Sequence, residues 1–216
     1  MEKNNRRIYI KVTNQCNKQC SFCYYHGDTK EPGCIELNTV REIIDKEQDT
    51  HEDTKLMRII LTGGEPTLCP HLKEILEYLT GLQRSQVVIE TNGTNFDNPE
   101  FLELLDMFKE GSYHYLKIAM NNELLDSTPD FREKIIKFIH FAKENGIRFI
   151  LNARYTSEED GIKLKTFIEE NDLGPAYGEV FYYPIHGYNF YRDGTLPTFG
   201  FPFIIYDYDG SVLMWE

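Results

Sequence analysis

Six short runs rich in β-branched and aromatic residues, separated by stretches long enough for a helix, constrain this chain more than any other feature. They are "RIYIKVT" (7–13), "LMRIILT" (56–62), "QVVIET" (86–91), "YLKIAM" (115–120), "IRFILNARY" (147–155) and "GEVFYYPI" (178–185). Each has the length and composition of a buried strand. Between them, "PDFREKIIKFIHFAKENG" (129–146) carries an apolar stripe of Phe131, Ile135, Ile136, Phe138, Ile139 and Ala142, and stops at Asn145-Gly146. "PHLKEILEYLTG" (70–81) has a proline in its first turn and a glycine at its end, and "NPEFLELLDMFKEG" (98–111) repeats that arrangement. Strands that alternate with helices are joined by right-handed crossovers. The expected fold is therefore α/β with a parallel sheet, either open and doubly wound or curled into a partial barrel.

After about residue 175 the texture changes to a run crowded with aromatic residues and lacking helical period. Its tail, "FPFIIYDYDGSVLMWE", reads as a β-hairpin turning at Asp209-Gly210. The expected organisation is one core over 1–186 and a C-terminal aromatic β appendage over 187–216 that is not an independent domain. A chain of 216 residues with 41% hydrophobic content supports one sizeable core. The formal charge of −12 opposes binding to phosphate-rich surfaces, and no basic stripe points to nucleic acid. No apolar run approaches a membrane span, and "MEKNNRRIYIKV" has no signal-peptide pattern, so the expected location is the cytoplasm, with no membrane partner.

In that reducing compartment, three cysteines within eight residues are ligands or catalytic groups rather than disulfide halves. Cys16, Cys20 and Cys23 lie in "TNQCNKQCSFCYYH", directly after the first expected strand. That is the carboxyl end of the sheet, where α/β folds bind ligands. Two centres fit the spacing. Zinc takes Cys16, Cys20, Cys23 and His26 as a Cys₃His tetrahedron, or the three thiolates hold three irons of a [4Fe-4S] cluster and leave the fourth iron open. The cysteines alone do not choose between them.

The second expected strand ends in "LTGGEP" (61–66) and the third in "IETNGT" (89–94). A glycine pair followed by an acid at a strand's end lets backbone approach a ligand and sets a carboxylate beside an amine. With these residues the chain resembles the radical S-adenosylmethionine (SAM) superfamily. The spacing Cys16-x₃-Cys20-x₂-Cys23, with Phe22 before the last cysteine, matches that superfamily's cluster loop, and Gly63-Gly64-Glu65-Pro66 matches its methionine-amine motif. The resemblance covers residues 7 to 186 and implies a partial (β/α)₆ TIM-like barrel. It further implies that Cys16, Cys20 and Cys23 ligate iron, that Phe22 packs near the adenine, and that Gly63, Gly64 and Glu65 contact the methionyl amine of SAM. Asn121, Asn152 and Arg154 stand near the places where relatives bind the ribose and carboxylate, and Arg154 suits a carboxylate best. Asn92 is a further candidate, although "TNG" at 91–93 is also a plain strand-to-turn signal. Ala119-Met120 stands where relatives often carry a serine.

The function the resemblance implies is reductive cleavage of SAM by a [4Fe-4S] cluster to a 5'-deoxyadenosyl radical that abstracts hydrogen from a substrate. The second half looks like the branch containing molybdenum-cofactor and peptide-modifying enzymes, so the substrate expected is a peptide or small molecule. An electron donor such as flavodoxin or ferredoxin goes with it. In that branch a "DG.V..C" hairpin supplies an auxiliary cluster, but here Met214 or Trp215 stands in place of the cysteine. Cys34 and Cys69 alone are too few for a second cluster, so a minimal single-cluster form is expected. Two other readings remain: an activating enzyme for a glycyl-radical partner, and a non-enzymatic zinc module. Cys34 and Cys69 read as unligated thiols, His26 and His186 as polar groups near the site or at the surface, and Tyr182, Tyr183 and Tyr188 as packing residues. An aromatic cap from 181–191 and 199–208 is the expected means of excluding water.

Overall fold

The computed structural model describes residues 5–23, 32–50, 56–109, 111–175, 179–184 and 203–215. In chain order these form β1 (Asn5–Thr13), α1 (Leu37–Thr50), β2 (Leu56–Gly63), α2 (Leu72–Thr80), β3 (Ser85–Thr91), α3 (Pro99–Leu104), β4 (Tyr115–Met120), α4 (Asn122–Leu125), α5 (Phe131–Glu144), β5 (Phe149–Tyr155), α6 (Glu158–Glu170), β6 (Val180–Pro184), β7 (Phe203–Tyr206) and β8 (Val212–Trp215). Short 3-10 turns at Pro66–Leu68 and Leu105–Phe108 complete the set. The architecture is α/β with mainly parallel strands, as the alternation of elements requires. Two compact units make up the chain: Met1–Asn17, Gly27–Glu90 and Phe199–Glu216 in the first, Lys18–His26 and Thr91–Thr198 in the second.

In the first unit the strand order is β3-β2-β1-β7-β8. The pairings β3-β2, β2-β1 and β1-β7 are parallel, and β7-β8 is antiparallel. Register aligns Ile8 with Ile59 and Val87, and Ile10 with Leu61 and Ile89. All six are fully buried. Each contributes roughly 1.5–3 kcal/mol on leaving water, so a slip of one residue, which would expose the whole row, is strongly disfavoured. Val40, Ile43 and Ile44 of α1, and Leu72, Ile75, Leu76 and Leu79 of α2, fill the rest of this core at helical spacing.

The hairpin expected at the tail is present as β7 and β8. Its turn closes with the Asp207 amide donating to the Ser211 carbonyl at 2.8 Å, and Gly210 takes φ +84°. Unlike a free hairpin, β7 also pairs in parallel with β1, from Arg7↔Phe203 to Ile10↔Tyr206. The buried Tyr206 hydroxyl donates to Glu47 Oε1 at 2.6 Å, and Arg6 pairs with the other oxygen of that buried carboxylate. One ion pair and one phenol thus fasten β1, α1 and β7 together.

In the second unit β4, β5 and β6 run parallel, with Leu116↔Phe149, Ile118↔Leu151 and Met120↔Ala153 forming its buried rows. Phe131, Ile135, Phe138, Ile139 and Ala142 of α5 are buried, as the stripe predicts, while Ile136 lies at its margin. The helix ends in a Schellman motif: Gly146 takes φ +66°, and the Ile147 amide donates to the Ala142 carbonyl at 2.8 Å. The helix expected over 98–111 stops at Leu104 and tightens into a 3-10 turn, which buries both Leu105 and Phe108 before Lys109 leaves to bridge Ile147. Helices α1, α4 and α6 are additions to the elements read from the sequence. Among the described residues no helix is long and apolar enough to cross a membrane.

Candidate functional site

Strand β1 ends at Thr13, opposite Gly63, the last residue of β2. Beyond the sheet the two backbones stay tied: the Gly64 amide donates to the Thr13 carbonyl at 2.8 Å, and the Glu65 amide to the Gln15 carbonyl at 2.7 Å. So close a crossing leaves no room for a side chain. A Cβ on Gly63 would lie 2.2 Å from the Thr13 oxygen; one on Gly64 would lie 1.9 Å from the Gln15 oxygen and 3.0 Å from the Cys16 nitrogen. Gly63 also holds φ at +134°, a conformation that side chains rarely tolerate. The glycine pair therefore sets the path by which the chain enters the cysteine loop.

Other groups of the first unit fix the same crossing. The buried Thr13 hydroxyl donates to the Gly33 carbonyl at 2.8 Å and accepts from the Gln15 amide at 3.1 Å. Glu65 is 1% exposed, and its Oε1 accepts from the Thr67 amide at 3.2 Å and from the Thr67 hydroxyl at 2.7 Å, which caps the Pro66–Leu68 turn. A carboxylate is thereby held at the carboxyl end of β2. Cys34 bridges Thr13, its thiol donating to the Thr13 hydroxyl at 3.3 Å. Cys69 is buried, and that burial pushes its thiol up to about 12.

In the second unit Cys20 and Cys23 form the ends of a tight turn, the Cys23 amide donating to the Cys20 carbonyl at 3.0 Å. Phe22 occupies the turn and is half-buried. The Ser21 amide and hydroxyl both donate to the Glu123 carboxylate, each at 2.7 Å, and Lys18 donates to the Ser127 hydroxyl at 2.7 Å. Neither Ser21 nor Glu123 was singled out by sequence, because a partnership 102 residues apart leaves no local pattern.

The remaining candidates of this unit lie on strands or just after them. Asn121 is buried and caps α4, its Oδ1 accepting from the Leu124 amide at 2.7 Å. Asn152 and Arg154 project from one side of β5; with the amide oxygen turned towards it, the guanidinium donates from Nη2 and Nε at 3.1 and 3.2 Å. Asn92 accepts from the Thr94 amide at 2.9 Å and hydroxyl at 2.6 Å, and Gly93 follows at φ +77°. Tyr182 is 36% exposed, and desolvation holds its phenol above the usual range. His26, His186 and Tyr188, with most of the aromatic stretch expected to form a cap, lie outside the described residues.

The family model described as the radical SAM superfamily matches residues 10–162, a span that includes the cysteine turn, the Gly63-Gly64 crossing and all of β2 to β5. The chain belongs to the radical SAM superfamily. It is 26% identical over 183 residues to the AdoMet-dependent heme synthase of Oleidesulfovibrio alaskensis, covering 82% of this chain and 45% of that protein. It is 30% identical over 119 residues to the antilisterial bacteriocin subtilosin biosynthesis protein AlbA of Bacillus subtilis, covering 55% of this chain and 25% of AlbA. Both relatives are more than twice the length matched. Among solved structures, the radical SAM methyltransferase TsrM from Kitasatospora setae shares the fold at a TM-score of 0.54 and 17% identity, covering 83% of this chain and 36% of that one.

Radical SAM proteins use a [4Fe-4S] cluster together with SAM. The donor chemistry of this chain fits such a cluster. Cys16, Cys20 and Cys23 are half-buried thiols, and a three-thiolate set leaves one iron without a protein ligand. Among the described residues no group of three His, Cys, Asp or Glu side chains stands ready to hold a metal ion.

Proposed function

We propose that the chain is a radical SAM enzyme whose single cluster is held by Cys16, Cys20 and Cys23, and that it acts on a peptide or small molecule. The observation that carries this reading is the backbone crossing of Gly63-Gly64-Glu65 with Thr13-Asn14-Gln15, which delivers Cys16 to the carboxyl end of β2 beside a buried carboxylate. When bound, the cluster supplies the electron that breaks a carbon–sulfur bond of SAM and so starts hydrogen abstraction from the substrate.

Every other contribution comes from side chains and backbone. The three thiols bind iron as thiolates, so loading releases their protons. Glu65, held by Thr67, offers negative charge to the methionyl amine, and Gly63 and Gly64 keep that approach free of side chains. Arg154, steadied by Asn152, presents a guanidinium fork suited to the SAM carboxylate, and Asn121 and Asn92 are candidates for the ribose hydroxyls. Phe22 supplies an apolar face for the adenine. The relatives named for heme synthesis and bacteriocin biosynthesis support a substrate in the peptide or small-molecule range. A flavodoxin or ferredoxin in a reducing compartment fits as electron donor.

Anaerobic reconstitution with iron and sulfide, followed by dithionite and SAM, tests the proposal. About four irons per chain, with 5'-deoxyadenosine formed by the wild type and not by Cys20→Ala, is the expected result. One tightly held zinc per chain with no deoxyadenosine would overturn it.

A further inference from the structure

We propose that Glu123 is a positioning residue for the iron-binding turn, holding Cys20 and Cys23 in place through Ser21; this rests on the reading of those cysteines as cluster ligands. Ser21 is the first of the two residues between Cys20 and Cys23. Both of its donors, amide and hydroxyl, reach the two oxygens of one carboxylate, at 2.7 Å each. A carboxylate that accepts two short bonds from one residue fixes both the position and the orientation of that residue's backbone. Since Ser21 is covalently joined to Cys20 and bridged by the Cys23-to-Cys20 hydrogen bond, its orientation is inherited by both thiols.

The anchor itself is rigid. Glu123 lies in the first turn of α4, whose start is capped by the buried Asn121 and whose Leu124 and Leu125 are buried. The neighbouring Asn122 donates to Asp160 Oδ1 at 2.6 Å, which ties the same turn to α6. A second tether acts on the other side of Cys20: Lys18 donates to Ser127 and lies 5.7 Å above the ring of the buried Phe131. The turn is therefore gripped at both flanks of Cys20 by the segment between β4 and α5. Preorganised ligands lose less freedom on binding metal, so the grip strengthens the hold on iron and slows its release.

The test uses the full chain, reconstituted anaerobically, with iron release to an excess of chelator as the principal readout and the electron paramagnetic resonance spectrum of the reduced cluster as the second. Glu123→Ala is expected to release iron about tenfold faster than wild type and to broaden the spectrum, since it removes two bonds to a charged acceptor. Ser21→Ala, which keeps the amide bond, is expected to show an intermediate rate. The two substitutions together are expected to match Glu123→Ala alone, because both act through one contact. Glu123→Gln, which retains one acceptor oxygen, is expected to restore part of the retention. Asp126→Ala, which breaks the exposed pair with Arg132 just beyond the same helix, serves as the control for general loosening and is expected to leave release unchanged. Release and spectrum unchanged in Glu123→Ala, or changed equally in Asp126→Ala, would overturn the inference. A wild-type chain that binds no cluster would instead sink the proposed function, so the two failures are distinct.

Discussion

Replacing Gly64 by alanine puts the argument about the backbone crossing at risk most directly. The added methyl would begin 1.9 Å from the Gln15 oxygen and 2.4 Å from its carbonyl carbon, and both are main-chain atoms with no rotamer to retreat into. Ordinary contact requires about 3.4 Å, so the Gln15 carbonyl must withdraw by about 1.5 Å. That displacement takes it out of reach of the Glu65 amide, now 2.7 Å away, and moves Cys16 with it. Losing one hydrogen bond and stranding a buried amide costs about 2–4 kcal/mol. Urea unfolding of the reduced, metal-free chain reads the stability term, and iron per chain after reconstitution reads the displacement of Cys16. Gly81→Ala is the matched control: its added Cβ meets nothing nearer than 3.4 Å, at φ −77°, so its effect should stay within about 1 kcal/mol. A Gly64→Ala protein within about 0.5 kcal/mol of wild type, carrying a full complement of iron, would refute the reasoning.

Two further outcomes are expected. Tyr206→Phe should cost about 1–2 kcal/mol at neutral pH. The buried wild-type phenol, bonded to Glu47, is raised above its ordinary 10.0, so above that pH the unfolded chain sheds the proton first and stability falls; urea titrations from pH 8 to 11 should show this extra decline in wild type and not in Tyr206→Phe. Brief alkylation of the native metal-free chain at pH 8, read by peptide mass mapping, should label Cys16, Cys20 and Cys23 but spare Cys69 until denaturant is added, because burial holds that thiol protonated at about 12.

The elements legible from sequence were those whose signal is local. Runs such as "LMRIILT" and "YLKIAM" fixed β2 and β4 nearly to the residue, since β-branched side chains in sequence suit a sheet buried by helices. Helix α6 was obscured by Gly161 in its interior and by buried positions limited to Leu164 and Ile168, and α1 by β-branched residues in a polar setting. The nearest neighbours of Gly63 and Gly64 include the Thr13 and Gln15 carbonyls, a contact between segments some fifty residues apart that no periodicity encodes. The Ser21–Glu123 contact leaves no local signal for the same reason, each residue being ordinary in its own surroundings.

The parallel pairing of β7 with β1 bears on the order in which the protein can be assembled. Ile8 and Ile204 are neighbours in the sheet although roughly two hundred residues of chain separate them, and closing so long a loop is slow. While the chain emerges from a ribosome, β1 can pair with β2 on one side only, and its other edge stays open until residues 203–206 arrive. The strand that leads into the cysteine loop is thus an unprotected edge for most of synthesis, inviting mispairing with other nascent chains. Cells making this protein at high rate should accumulate aggregates seeded at β1, and slower synthesis in the cold should relieve them more than added iron does.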